Sequence, residues 1–207
     1  MLKVSELVET LIGEEPAAGF PCLLVRLTGC NLACSWCDTR AKISVGEDFT
    51  VDRLLEIASR VERRWILITG GEPLLQPECP ALAERLVSAG FRVLIETNGT
   101  ADISRLPKEV VKSVDDKTPS SGHAGTFLQG NLQHLSPEDA VKFVIADRGD
   151  FDWAIAEADS LGIWTRAQVV FSPVFGHLDP SLLAEWILEK SLPIRLSAQL
   201  HKLWRIP

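Results

Sequence analysis

The fold of this chain is narrowed first by an alternation, in which short apolar runs of strand length take turns with longer amphipathic ones. Six runs read as buried strands: Cys22–Leu27, Ile66–Thr69, Arg92–Glu96, Val110–Val114, Val141–Ile145 and Gln168–Phe171. Helical patterns lie between them: Val51–Arg63 opens after Thr50, Cys79–Ala89 stops at Gly90, Asp150–Leu161 stops at Gly162, and Pro180–Leu188 follows the cap candidate Asp179. Strands alternating with helices predict an α/β architecture with a mostly parallel sheet. About six strands are too few for the closed eight-stranded barrel, which takes about 250 residues. The expectation is therefore a partial, open TIM-like β/α barrel forming one domain over residues 1–207. The stretch Asp115–Ser136, rich in Gly, Ser, Thr and Pro, predicts a long loop on the active face.

Charge and cysteine usage exclude several roles. The net charge of −7 removes the basic field on which non-specific nucleic-acid binding draws. Apolar runs such as Trp65–Ile68 are strand-sized and far short of the ~18 residues of a membrane span. Glu6 and Glu9 interrupt the first ten residues where an export signal needs an unbroken apolar stretch, so the expected location is the cytoplasm. Five cysteines, three of them within eight residues, make a poor disulfide framework, and ligation is the better reading.

Cys30, Cys34 and Cys37 form a CxxxCxxC motif directly after the first of the six strands. Thiolates crowded together need a shared cation, because burying them without one is costly. The choice is between zinc and an iron–sulfur cluster. A structural zinc site wants four ligands, commonly as two CxxC-like halves, and only one half is present; Cys22 and Cys79 read as small buried apolar residues. A 4Fe–4S cluster on three cysteines leaves one iron open to a ligand. This spacing, with Trp36 before the third cysteine, resembles the signature of the radical S-adenosylmethionine (SAM) superfamily. In that superfamily the open iron chelates the methionine moiety, and an electron from the cluster cleaves the sulfonium to a 5′-deoxyadenosyl radical.

The ends of the later strands carry polar residues, as the ligand-facing end of a β/α barrel requires. Thr69-Gly70-Gly71-Glu72-Pro73 resembles the superfamily's GGEP motif: the double glycine permits close backbone approach, and Glu72 is of the type that accepts from an ammonium. The third run ends in Thr97-Asn98-Gly99-Thr100, the fourth in Asp115-Asp116-Lys117-Thr118, and the sixth in Ser172-Pro173-Val174.

Further segments narrow the choice. Glu9–Glu14, Val25–Asn31, Cys37-Asp38-Thr39, Phe171–Gly176 and Arg195–Lys202 are similar to the 7-carboxy-7-deazaguanine synthase family over most of the chain. The resemblance implies a single radical SAM domain. Its implied reaction is a carbon–nitrogen lyase step: 6-carboxy-5,6,7,8-tetrahydropterin contracts to 7-carboxy-7-deazaguanine with loss of ammonia, in queuosine biosynthesis. The implied substrate contacts are Leu11, Ile12, Gly13, Glu14, Arg26, Thr97 and Pro207, with Glu14 on the guanidine-like edge, Arg26 paired to the carboxylate, and the chain's last carboxylate folded back onto the pterin beside an apolar dock at Leu203-Trp204. For SAM they are Trp36, Cys37, Asp38, Gly71, Glu72, Gly99, Asp116, Lys117, Ser172, Pro173 and Val174; for the cluster Cys30, Cys34 and Cys37; and for Mg²⁺ the hydroxyl of Thr39. A hard cation that keeps several waters suits a hydroxyl plus a substrate carboxylate. The family also implies a flavodoxin- or ferredoxin-like electron donor and a homodimer, and His201 matches a position near the substrate end.

Two positions depart from the family's Q-G-E-G start, which here reads Ile12-Gly13-Glu14-Glu15. Ile12 removes a side-chain amide, which leaves only backbone groups of Leu11–Gly13 for that contact. Two other readings stand beside the lyase: an activase that installs a glycyl radical on a partner protein, which predicts a docking groove and no pterin site, and a non-catalytic metal-binding module. His123, His134 and His177 read as surface or turn residues, and the tryptophans other than Trp36 as core or interface aromatics.

Overall fold

Cross-strand pairing assembles one nine-stranded sheet in the order β3-β1-β2-β4-β5-β6-β7-β8-β9 in a computed structural model that describes residues 1–207. The six expected strands are its continuous parallel part: β2 (Pro21–Leu27), β4 (Trp65–Gly70), β5 (Arg92–Thr97), β6 (Val111–Asp115), β7 (Ala140–Ile145) and β8 (Gln168–Pro173). The sheet does not close, because β3 and β9 are its two free edges. Three strands had no signal in the apolar runs: β1 (Leu2–Leu11), β3 (Glu47–Phe49) and β9 (Ile194–Leu196). β1 pairs antiparallel with β2 and carries a register shift between Val4 and Glu6. That irregularity breaks the two-residue alternation by which a strand is recognised.

Four helices of ten or more residues cover the outer face: α1 (Val51–Arg60), α2 (Cys79–Ser88), α3 (Arg148–Leu161) and α4 (Pro180–Lys190). Thr50 caps α1 by accepting from the Arg53 N–H at 3.1 Å, a contact worth about 1 kcal/mol. This helix stops at Arg60, three residues before the expected Arg63, because Val61 turns extended. Asp147 caps α3 and Gly162 ends it at φ +62°, a conformation that glycine adopts without steric cost. After β5 and β6 there is no full helix. Short 3₁₀ helices at Ile103–Arg105, Pro119–Ser121 and Gln129–His134 take their place, the last two within the expected long loop.

The strands sort their side chains by parity. Leu23, Val25, Ile66, Ile68, Val93 and Ile95 face outward into the core under α1 and α2, while Val141, Phe143, Ile145, Val169 and Phe171 do the same under α3 and α4. Each such buried aliphatic or aromatic side chain contributes roughly 1.5–3 kcal/mol. The alternate positions face the barrel interior in two layers. Cys22, Leu24, Trp65, Leu67, Leu94 and Val111 form an apolar floor. Above it, toward the strands' C-terminal ends, sit Arg26, Thr69, Glu96, Asp115 and Lys142.

The gap between the sheet's edges is bridged by chain rather than by strand. Leu200 donates to the Gly13 carbonyl at 2.8 Å, Gln199 donates to Glu14 at 3.0 Å, and Arg195 pairs with Glu15 at 2.7 Å. These contacts tie the turn after β1 to the segment after β9, whose last helix is α5 (Leu200–Trp204). No helix is long and apolar enough to cross a membrane.

Candidate active site

The polar layer opens into a cavity of about 540 Å³ at the C-terminal ends of the strands, walled on one side by the cysteine loop and roofed by α5 and the last residues of the chain. The loop is held by several contacts. The Ala33 N–H donates to His123 Nε2 at 3.0 Å, the Ser35 hydroxyl donates to the Ser120 carbonyl at 2.8 Å, and Arg40 donates to the Cys34 carbonyl at 3.0 Å. His123 is thus a clamp on the cysteine loop and not a bland turn residue. The double glycine explains how the loop passes so close to β4. A Cβ on Gly71 would lie 2.6 Å from Cys30 Cβ and would strike the Gly29 carbonyl, while Gly70 holds φ +148° against the end of β2. The close approach is therefore to the cysteine loop itself.

Cys30, Cys34 and Cys37 all line the cavity, with Trp36, Asp38 and Thr39 beside them and Gly71, Lys117 and Val174 across from them. The Thr39 hydroxyl lies 3.7 Å from Cys37 Sγ. Burial pushes the Cys34 thiol up, against the pull of Lys117. Cys22 and Cys79 are fully buried in separate cores, and burial raises both thiols to about 12. Neither can complete a four-ligand zinc site, and no three His, Cys, Asp or Glu side chains lie close enough to share one metal ion. Three cysteines open to one cavity, with no fourth protein ligand, fit a cluster that keeps an open position.

On the opposite wall, Leu11, Gly13, Glu14, Arg26, Thr97 and Pro207 line the same space. Arg26 Nε donates to Glu6 at 2.7 Å, and no protein acceptor takes its Nη groups. Thr97 donates its hydroxyl to Glu72, at 2.8 and 2.9 Å from the two carboxylate oxygens, so toward a ligand its oxygen acts as an acceptor. Glu14 pairs with Lys142 and accepts from Gln199. Burial alone would raise the Glu14 carboxyl, but the Lys142 charge outweighs it and holds the group at about 2. Glu96 is pushed the other way, by burial and by the negative charge of Glu14, although Thr69 donates to it at 2.7 Å.

Six expected ligand contacts do not line the cavity. Ile12 is buried in the apolar floor, and both its backbone groups are already bonded, to Gly19 and Phe20. Glu72 is fully buried, and its carboxylate accepts from the Leu74 and Asn98 N–H groups and from Thr97, so it braces two strand ends instead of meeting an ammonium. Gly99 packs under Phe127, and its carbonyl accepts from Leu128 and Asn131. Asp116, Ser172 and Pro173 are buried behind the wall. The expected dock at Leu203-Trp204 is also absent, because both side chains are more than half exposed. The tail is held by Lys202 pairing with Asp38 at 2.6 Å and by Thr10 donating to the Pro207 carbonyl oxygen at 2.9 Å.

Several lining residues were not anticipated as contacts: Glu96, Lys142, Gln199 and, in a role left open, His201, whose ring fills the space beside Gly13. A usable signal existed for Lys142, the single charge inside the apolar run Val141–Ile145.

The Radical SAM superfamily model matches residues 24–178. The chain is 40% identical to the 7-carboxy-7-deazaguanine synthase of Koribacter versatilis over 97% of this chain and 96% of that one. It is 39% identical to that of Methanospirillum hungatei over 100% and 86%. The chain belongs to the 7-carboxy-7-deazaguanine synthase family. Escherichia coli QueE shares the fold at a TM-score of 0.78 and 22% identity, over 94% of this chain and 93% of that one. Membership of this radical SAM family implies a 4Fe–4S cluster and SAM, and the three cysteines meet the first requirement. The departure at position 15 is taken up away from the cysteine loop, in the Glu15–Arg195 pair that helps bridge the sheet's edges.

Proposed function

We propose that residues 1–207 act as a single radical SAM domain that converts 6-carboxy-5,6,7,8-tetrahydropterin to 7-carboxy-7-deazaguanine with loss of ammonia. The observation that carries this reading is the pairing of the two walls: three cysteines on one, and on the other a fixed carboxylate, a guanidinium with free Nη groups and an acceptor hydroxyl. The bound cluster and SAM supply a 5′-deoxyadenosyl radical. The protein's own residues hold the pterin against it.

Glu14 accepts from the N–H donors of the guanidine-like edge, and its lowered carboxyl suits that role because an ionised carboxylate only accepts. Arg26 offers two Nη groups to the ring carboxylate, the bidentate match that arginine makes best. Thr97 accepts from a further ring N–H, and Leu11, Gly13 and Pro207 shape the cavity around the ring. Thr39 would hold Mg²⁺ through its hydroxyl, a hard oxygen donor of the kind that cation takes, and the ion would supply positive charge for the substrate carboxylate. Trp36, Asp38, Gly71, Lys117 and Val174 contact SAM, while Glu72, Gly99, Asp116, Ser172 and Pro173 serve it from behind the wall. α5 and the last residues of the chain lie over the cavity and narrow its mouth.

The activase reading loses support, because acceptor and guanidinium groups inside a cavity suit a small polar ring better than a protein segment. We extend the reading to a cytoplasmic homodimer reduced by a flavodoxin- or ferredoxin-like donor and acting without nucleic acid; the charge of −7 supports the last part. The test is to reconstitute the cluster without oxygen and supply SAM, reductant, Mg²⁺ and 6-carboxytetrahydropterin. A product with the mass of 7-carboxy-7-deazaguanine, formed together with ammonia and diminished by a chelator that removes Mg²⁺, is expected. Slow 5′-deoxyadenosine formation without that product would remove the substrate assignment.

A further inference from the structure

Lys142 is the only charged residue in β7, whose neighbours Val141 and Phe143 face the core under α3 and α4. Its side chain points the other way, into the interior, and its ammonium meets one oxygen of Glu14, with Asp115 at 3.5 Å. Asp115 has a second partner in Lys117 at 3.1 Å, whereas the hydrogen bond of Lys142 goes to Glu14. The other Glu14 oxygen accepts from Gln199 at 3.0 Å. Both oxygens are therefore held from opposite sides, by β7 and by the segment before α5. A carboxylate oxygen carries two acceptor sites, so each keeps one for a ligand.

We propose that Lys142 is a positioning residue for the pterin: with Gln199 it fixes the plane of the Glu14 carboxylate, so that the cavity selects a ring presenting an N–H edge. This rests on the substrate reading above. The electrostatics of the surroundings give Lys142 the deciding role. Glu14 is faced by Glu96 from β5, Asp115 from β6, Glu15 beside it in the chain, and His201 from α5, with Arg26 on β2 across the interior. Apart from Arg26 and His201, whose imidazole burial pushes below its usual range, these neighbours are acidic. Without the lysine, burial and the carboxylates raise the Glu14 carboxyl, and a protonated carboxyl offers a hydroxyl donor where the ring also donates. Ligand binding by such a variant weakens as pH falls, whereas binding by the native protein does not.

The experiment measures equilibrium binding of 6-carboxypterin, the fluorescent oxidised form of the ring, at pH 6 and pH 8.5. Lys142→Met is expected to bind about tenfold more weakly at pH 6, with most of the loss recovered at pH 8.5, and Lys142→Arg to stay within about threefold of the native protein at both. A Met variant that binds like the native protein, or that is weakened equally at both pH values, overturns the proposal. A second measurement needs neither the pterin nor a folded lysine variant. The Glu14 carboxyl carbon, assigned by NMR through its loss in Glu14→Gln, should remain ionised from pH 8 down to pH 4.5. Half-titration at pH 4.5, the ordinary behaviour of a glutamate, would overturn the proposal even if no pterin bound.

Discussion

Asp116 illustrates how one residue can be costly where it sits. It is 1% exposed and neither carboxylate oxygen has a hydrogen-bond partner. Burial, with the charges of Glu157 and Asp115 adding to it, raises its carboxyl from 3.8 to about 7. A folded-state value above the unfolded one means that stability is fully present below pH 3.8 and is lost as pH rises through about 7. Asp116→Asn cannot ionise. In the cofactor-free protein it should match the native protein near pH 3.5 and exceed it at pH 8 by up to about 4 kcal/mol, read from urea midpoints at the two pH values. Equal stability at pH 8 would show that the carboxylate is solvated or paired. The sequence placed Asp116 at a strand end but held no sign of its burial, which comes from α3 packing against the loop after β6. Cys30, Cys34, Cys37 and Arg26 were legible singly, because a cysteine spacing or a charge inside an apolar run is a local pattern. The Glu14–Lys142 pair joins positions 128 residues apart, and no local pattern records it.

At the scale of elements, the six parallel strands were legible because each is buried on both faces and so is built around short apolar runs. β1 was hidden by its register shift, and β3 and β9 by being only three residues long. The missing helices after β5 and β6 follow from loops pinned by side chains. Asn131, for example, donates to the Gly99 and Ala101 carbonyls at 3.1 and 2.9 Å. Two predictions belong here. Gly71→Ala should push the cysteine loop off the end of β4, and bound iron after reconstitution should fall severalfold while far-ultraviolet circular dichroism stays unchanged, because the nearest atoms it strikes belong to Gly29 and Cys30. Asp139 joins β6 to β7 by accepting from the Lys112 N–H at 2.7 Å and the Ser136 N–H at 2.8 Å, and by pairing with the buried Lys112 ammonium at 3.3 Å. Asp139→Ala leaves that buried ammonium with no counter-charge and only the Val110 carbonyl, at 2.9 Å, as acceptor, and should cost about 3–5 kcal/mol in urea unfolding. A loss below about 1 kcal/mol would mean that the lysine escapes to solvent.

Across the whole molecule, an open sheet gains a continuous wall because the turn after β1 and the segment after β9 meet over the gap between its edges. The sequence indicated a barrel too short to close, and the bridge was not visible in it, since it consists of backbone bonds and of Glu14, Glu15, Arg195 and Gln199 from opposite ends of the chain. The bridge also brings the wall of Glu14, Arg26 and Thr97, proposed to hold the pterin, to face the cysteine wall. Measuring 5′-deoxyadenosine and deazapurine in one assay tests that arrangement most directly, with the native protein, Cys34→Ala and Glu14→Gln compared side by side. Cys34→Ala should abolish both products. Glu14→Gln should keep a slow release of 5′-deoxyadenosine while deazapurine falls by about a hundredfold, the cost of losing a charge-assisted contact to a buried ring edge. A Glu14→Gln enzyme that makes deazapurine at the native rate, or that loses both products together, would contradict the division of the cavity into two walls.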